Sequence, residues 1–322
     1  MFIEQGHTFG KLTDFHGRRI DYLRLSITDL CNLRCFYCMP DAGVKKIAHK
    51  DVLRYEEFLE IVQVAASLGI RKVRLTGGEP LIKRGAVKMV REINALPGIE
   101  TVVMTTNGTR LEKYAQVLKE AGLKRINISL DSLDPETYRA ITRCGDLPAV
   151  LRGIDAARDQ GFPIKINTVL VEGFNEGELE RFISFASEKD LEVRFIEQMS
   201  FESEQPYVSQ DTVIETLSHH HTVNELEGEE SPHVRLFDCD GTKIGFISPR
   251  SRPFCSGCNK LRLMPNGQLR ACLASPDAVD MRSIVRRPHT ELEITRGFRQ
   301  AVKLKPEAGP WTARSEMWRV GG

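Results

Sequence analysis

Three cysteines fall within "CNLRCFYC" (31–38), and three more within "CSGCNKLRLMPNGQLRAC" (255–272). Thiolates are soft ligands suited to zinc, copper(I) and iron–sulfur clusters. The first group is spaced Cys31-x3-Cys35-x2-Cys38 and the second Cys255-x2-Cys258-x13-Cys272, and neither has an evident fourth cysteine. Structural zinc takes four Cys or His ligands, usually in close pairs. An iron–sulfur cluster tolerates the first spacing, because each thiolate binds a different iron. Three thiolates on four irons leave one position open, and an open position separates catalytic metal sites from structural ones. For the second group a zinc knuckle completed by Cys239 or His289 remains an open alternative. Cys144 and Cys239 read as ordinary thiols. The "HHH" at 219–221 reads as a solvated turn or helix end, and "GVKKIAHK" (43–50) as a loop over the barrel mouth.

Such residues need a frame. From residue 20 to about 200, short β-rich runs alternate with helical patterns. The runs cover 20–28, 71–77, 101–106, 125–131, 164–171 and 192–199. Between them, "YEEFLEIVQVAASLG" carries apolar residues at helical spacing and a closing glycine. Similar helices are expected near 84–96, 111–122, 148–160 and 176–189. Six β/α units with right-handed crossovers imply a parallel sheet curling towards a barrel. Six is short of the eight that close one, so the fold class expected is α/β, a partial (β/α)6 TIM-type barrel. An open doubly wound sheet is the alternative that strand counting leaves.

Alternation puts polar sets on one strand face: Arg24/Ser26/Thr28, Arg74/Thr76, Asn127/Ser129/Asp131 and Lys165/Asn167. Barrel interiors normally hold branched apolar residues, and charges are rarely buried without partners. These sets therefore imply a cavity for a polar, anionic ligand. In the last strand Arg194 and Gln198 oppose Glu197 and Met199, so parity alone leaves its inward face open. Residues 200–233 read as an acidic arm with one short helix. A hairpin turning at Asp240-Gly241 follows, leading into a small C-terminal α+β domain that holds the second cysteine group. The expected domains are 1–200 and 201–322.

The net charge of +1 over 322 residues favours neither nucleic acid nor an anionic membrane as partner. No apolar run reaches the ~20 residues of a membrane span, and the N-terminus lacks a signal-peptide core. A soluble, unexported, cytoplasmic protein is expected.

"CNLRCFYC" with "TGGEPL" (76–81) resembles the radical S-adenosylmethionine (radical SAM) superfamily. The resemblance implies that the open iron of the first cluster chelates S-adenosylmethionine. Reductive cleavage then gives a 5′-deoxyadenosyl radical that takes hydrogen from a substrate. It further implies cosubstrate contacts from Tyr37, Gly78, Ser129 and Met199. Two glycines let the backbone approach a ligand closely. Nearly the whole chain, including "DFHGRRIDYLRLSITDLCNLRCFYCMP", "TTNG", "SLDS", "GFISPRSRPFCSGCNKLRL" and the terminal "GG", is similar to the GTP 3′,8-cyclase family of molybdenum cofactor biosynthesis. That resemblance implies two 4Fe-4S clusters, on Cys31, Cys35 and Cys38 and on Cys255, Cys258 and Cys272. The second cluster would bind guanine while the radical attacks ribose C3′. It implies GTP contacts from Arg24, Arg74, Thr105, Lys165, Lys260 and Arg262, although Thr105 and Thr106 lie on opposite strand faces. Where the family has Arg-x-Arg, this chain has Lys260-Leu261-Arg262, which keeps the charge and loses one bidentate fork. The tail Gly321-Gly322 reaches the active site by the same resemblance. Expected partners are an electron donor and a downstream pyranopterin-forming enzyme, for a monomer or homodimer. The competing functions are another radical SAM enzyme with one auxiliary cluster, such as a peptide-modifying one, and a non-catalytic zinc or electron-transfer protein.

Overall fold

A computed structural model describes residues 10–40, 46–199, 207–227 and 232–309. Six strands, β1 (Tyr22–Ser26), β2 (Lys72–Thr76), β3 (Thr101–Thr106), β4 (Arg125–Ser129), β5 (Ile164–Leu170) and β6 (Glu192–Glu197), lie side by side in chain order. All five pairings between them are parallel. Helices α1 (Tyr55–Ser67), α2 (Ala86–Asn94), α3 (Leu111–Glu120), α4 (Pro135–Thr142), α5 (Leu147–Asp159) and α6 (Leu179–Lys189) connect them.

Strand alternation divides the molecule chemically. One set, including Leu23, Leu25, Val73, Leu75, Val102, Met104, Ile126, Ile128, Val193 and Phe195, is buried against apolar helix faces such as Phe58, Ile61 and Val62 of α1. This layer is the core, and it leaves the polar set for the concave face. Helix starts are marked locally. Arg54 and Glu57 close a capping box on α1, and Asp134 accepts from Glu136 N and Thr137 N ahead of Pro135 in α4. The 84–96, 111–122, 148–160 and 176–189 patterns correspond to α2, α3, α5 and α6. The extra helix α4 interrupts what periodicity reads as one connection between β4 and β5.

The remaining chain extends the same sheet at both edges. After α7 (Gln210–Ser218) come β7 (Val223–Glu225), β8 (Arg235–Cys239) and β9 (Thr242–Ile247), and β9 joins β6 in parallel. Asp240 and Gly241 both have positive φ, 47° and 85°, as the expected hairpin turn needs. At the far edge β10 (Lys260–Leu263) joins β1 in parallel, and β11 (Gln268–Arg270) and β12 (Ala278–Asp280) follow antiparallel. Helices α8 (Met281–Val285) and α9 (Glu291–Lys303) end the described chain. No helix among the described residues is long and apolar enough to cross a membrane.

Candidate active site

The β1–β10 pairing sets the geometry. Tyr22 opens β1 opposite Lys260, and Arg24 lies opposite Arg262. Cys31 follows the end of β1, whereas Cys258 precedes the start of β10. The antiparallel return of β11, with Arg270 opposite Arg262, brings Cys272 back towards Cys258. The two triads therefore sit at opposite ends of a parallel strand pair. Since β1 has five residues, they are separated by on the order of 16 Å at about 3.3 Å per residue. Both triads line one cavity of about 380 Å³.

Backbone contacts hold the first triad. Arg34 N donates to Thr142 O at 3.1 Å and Phe36 N to Ile141 O at 3.1 Å, so the end of α4 carries the cysteine loop. Cys38 N donates to Cys35 O at 2.9 Å within the loop's turn. On its other side, Gly78 N donates to Thr28 O and Glu79 N to Leu30 O, each at 2.8 Å. A Cβ on Gly78 would lie 2.5 Å from the Leu30 carbonyl carbon and 2.9 Å from Cys31 N. The glycines expected to let a ligand approach thus first let the second strand's end dock on the cysteine loop. Glu79, buried, accepts from Leu81 N (2.9 Å), Thr106 Oγ1 (2.7 Å) and Asn107 N (2.7 Å), tying the ends of β2 and β3 together.

The two ends differ in electrostatics. Burial, with Glu79 and Cys144 nearby, pushes the Cys31 thiol up to about 11. Burial, Cys31 and Asp131 push Cys38 up to about 12, and burial and Asp131 hold Cys35 well above its ordinary value. Asp131 accepts from Tyr37 Oη at 2.6 Å and from Val169 N at 2.9 Å. At the other end burial also opposes ionisation of Cys258, yet Lys305 and Lys260 hold that thiol below its ordinary value. Lys305 Nζ lies 3.3 Å from Cys258 Sγ, and Gly309 N lies 3.3 Å from Cys255 Sγ.

Between the triads the wall is basic. Arg24, Lys72, Arg74, Arg125, Arg194, Lys260 and Arg262 line the cavity, against the carboxylates Asp29 and Asp131. Burial and Arg262 push Arg24 down to about 9, and burial and Arg24 push Lys260 well below its ordinary value. Burial would raise the Tyr22 hydroxyl, but Arg74, Arg24 and Lys72 bring it down to about 8. The ammonium groups of Lys72 and Lys260 lie 4.9 and 5.5 Å from the Tyr22 ring centroid. Like charges crowded in a low-dielectric site raise each other's energy, and an anion relieves all of them together. The buried atoms Thr76 Oγ1, Asn127 Oδ1 and Asn167 Oδ1 line the same cavity and have no hydrogen-bond partner among the described residues. Buried polar atoms are normally bonded, so this wall fits a polar, anionic guest.

Tyr37, Gly78, Ser129, Met199, Arg24, Arg74, Thr105, Lys260 and Arg262 all line this one cavity. Thr105 accepts from Arg74 Nη1 at 3.0 Å, which fixes the face that parity left open. Lys165 is not among the lining residues. Its ammonium pairs with buried Glu192 at 2.9 Å, and Glu192 also accepts from Arg194 Nε at 2.5 Å. The expected inward orientation of Lys165 therefore ends in an ion pair rather than at the cavity surface. Lys72 and Arg125 share strands and parity with Arg74 and Asn127, so carrying the alternation one step back would have found them. Arg194 and Met199 both line the cavity despite their opposite parity, because Met199 lies beyond the end of β6. Gly321 and Gly322 lie outside the described residues, as do 43–45 of the basic loop.

The fourth zinc ligands considered for the second triad are engaged elsewhere. Cys239 is buried where β8 meets β9, and His289 bonds Glu60 Oε1 at 2.7 Å and Arg287 O at 2.8 Å. Among the described residues no three His, Cys, Asp or Glu side chains are grouped to hold a single metal ion. The donor set of each end, three soft thiols facing a cavity, fits an iron–sulfur cluster that leaves a position for another ligand.

Comparison with known proteins gives the family. A model of the radical SAM superfamily matches residues 25–186, and one described as Molybdenum Cofactor Synthesis C matches 191–310. Streptococcus suis SuiB bound to S-adenosylmethionine superposes with a TM-score of 0.59 at 14% identity, over 82% of this chain and 64% of that one. SuiB bound to its precursor peptide SuiA gives 0.61 at 14% identity, over 92% and 68%. This chain thus spans about two thirds of SuiB, and the likeness carries the fold alone. The fold and the first cysteine group are those of a radical SAM protein. A GTP 3′,8-cyclase of Petrotoga mobilis is 46% identical over 97% of this chain and 100% of its own length. One from Peptoclostridium acidaminophilum is 41% identical over 97% and 98%. The chain belongs to the GTP 3′,8-cyclase family.

Proposed function

We infer that this chain converts GTP to (8S)-3′,8-cyclo-7,8-dihydroguanosine 5′-triphosphate, the first step of molybdenum cofactor biosynthesis. The observation that supports this most is a single cavity with a thiol triad at each end and a basic wall between. When bound, 4Fe-4S clusters on the two triads and S-adenosylmethionine supply the electron, the hydrogen-abstracting radical and an open iron for guanine. The protein's own residues do the rest. Cys31, Cys35 and Cys38 hold one cluster, and Cys255, Cys258 and Cys272 hold the other. Tyr37, Gly78, Ser129 and Met199 orient the cosubstrate beside the first. Arg24, Lys72, Arg74, Arg125, Arg194, Lys260 and Arg262 take the triphosphate, where guanidinium forks match phosphate oxygens best. Thr105 fixes Arg74, and Lys165 acts from behind the wall, sharing Glu192 with the cavity-lining Arg194. Covering helices and the apolar layer behind the strands keep bulk water from a reactive radical.

On the same reading, residues 1–200 form the barrel that holds the first cluster, and 201–322 form the connecting arm and the C-terminal domain that holds the second. The chain works in the cytoplasm as a monomer or homodimer, receives electrons from a separate donor and passes its product to a pyranopterin-forming enzyme. The net charge of +1 supports a small-molecule substrate over nucleic acid or an anionic membrane. The test is anaerobic incubation of the reduced, iron-loaded protein with GTP and S-adenosylmethionine. Formation of 5′-deoxyadenosine together with a cyclised nucleotide is expected. Cleavage of S-adenosylmethionine with GTP recovered unchanged, while another substrate is consumed, would refute the assignment within the superfamily.

A further inference from the structure

Lys305 follows α9 and is 4% exposed. An ammonium carries three protons, and three acceptors surround this one: Cys258 Sγ at 3.3 Å, Lys260 O at 2.9 Å and Ala271 O at 3.0 Å. The two carbonyls stand at the first residue of β10 and just past the end of β11, beside Cys258 and Cys272 in the chain, so the charge is fixed relative to the triad. The chain that follows is also anchored. Buried Arg18, paired to Asp14 at 2.6 Å, donates to Pro306 O at 2.6 Å, Glu307 O at 3.2 Å and Cys255 O at 2.6 Å. Gly309 N then points at Cys255 Sγ from 3.3 Å. Residues 305–309 thus supply N–H donors to two of the three thiols. Cys31 Sγ of the first triad also accepts an N–H, from Leu33 at 3.3 Å. The side-chain charges acting on that triad, however, are the carboxylates of Glu79 and Asp131, so the two ends differ in their fixed charge.

We propose that Lys305 is a positioning residue that sets the reduction potential of the cluster on Cys255, Cys258 and Cys272. The proposal rests on the reading that this triad holds an iron–sulfur cluster. Reduction adds negative charge to such a cluster, and a fixed cation with N–H···S bonds favours the reduced state. Lys305 therefore raises this cluster's potential, whereas the acidic surroundings of the first triad lower the other's.

The full-length chain is loaded anaerobically with iron and sulfide as wild type, Lys305→Met and Lys305→Arg. Iron is counted, and each cluster is titrated electrochemically by electron paramagnetic resonance. In Lys305→Met the midpoint of the C-terminal cluster should become more negative while that of the N-terminal cluster stays in place, and Lys305→Arg should restore it. An unchanged midpoint in fully loaded Lys305→Met overturns the proposal. If Lys305→Met loses about half its iron, the comparison moves to Lys305→Gln and to the clusters that remain: a C-terminal midpoint more negative than wild type supports the proposal, and one at the wild-type value overturns it. Wild type falling well short of about eight irons per chain, with no further loss in Cys255→Ala, would refute the two-cluster reading itself.

Discussion

Gly78→Ala tests how the first triad is held. The added methyl would lie 2.5 Å from the Leu30 carbonyl carbon and 2.9 Å from Cys31 N, and closer still to the Leu30 oxygen. These atoms are all backbone, so no side chain can swing away. Relief requires residues 78–79 to separate from 28–31 by roughly 1 Å, to reach the ordinary van der Waals range. That motion breaks Gly78 N to Thr28 O and Glu79 N to Leu30 O, both 2.8 Å. Two hydrogen bonds at about 1 kcal/mol each, with residual overpacking of about 1–3 kcal/mol, give a destabilisation of roughly 3–5 kcal/mol. The strain falls on the residue bearing the first thiol. Anaerobically loaded Gly78→Ala should lose about half its iron and nearly all reductive cleavage of S-adenosylmethionine. Gly177→Ala is the control, because nothing lies within 4 Å of its Cβ position. Full iron content and wild-type cleavage in Gly78→Ala would refute the steric reasoning.

Arg262→Ala should raise the KM for GTP by roughly 10–100-fold, the loss of a charged hydrogen bond worth about 1.5–3 kcal/mol; uncoupled cleavage of S-adenosylmethionine should persist, and steady-state assays of both products separate the two. Glu192→Gln leaves Lys165 and Arg194 buried without their carboxylate, so denaturant titration should show a loss of about 3–5 kcal/mol, and an unchanged midpoint would show that the ion cluster is dispensable. His221 bonds Glu180 Oε2 at 2.6 Å and Asp240 Oδ2 at 2.9 Å, contacts that raise its pKa above the ordinary value. Its stabilising effect is therefore fully present below about pH 6.5 and fades as pH rises through the raised value. His221→Gln should lower Tm more at pH 6 than at pH 9, and equal losses would contradict the pairing.

The barrel half was legible in the sequence because each unit announces itself locally. Alternation marked β1 to β6, and helical spacing marked α1, α2, α3, α5 and α6, with a closing glycine (Gly69) on the first. The first triad followed from spacing alone, and the basic wall from the parity of Arg24 and Arg74. Helix α4 escaped periodicity, although Asp134-Pro135 is a start signal. Pairings between distant segments had no local signature. Nothing in "KLRL" states that it lies beside β1, so the strand pairing that sets the two triads at opposite ends of one cavity had no signal in the residues themselves. The same holds for Lys165, whose parity was inward but whose partner Glu192 belongs to another strand. It also holds for Lys305, an ordinary lysine until folding buries it beside Cys258.

The β1–β10 seam also imposes an order of assembly. Asn259 Nδ2 reaches Asp21 Oδ1 at 2.8 Å across 238 residues of sequence, and strands that distant meet late, since the loop they close carries a large entropy cost. During synthesis β1 therefore keeps a bare edge after β2 to β6 have formed. The last wall of the chamber arrives with β10, bringing the second triad with it. Until β10 pairs with β1, that edge of the chamber stays open to inorganic cargo, and one pairing event both closes it and delivers the second set of thiols.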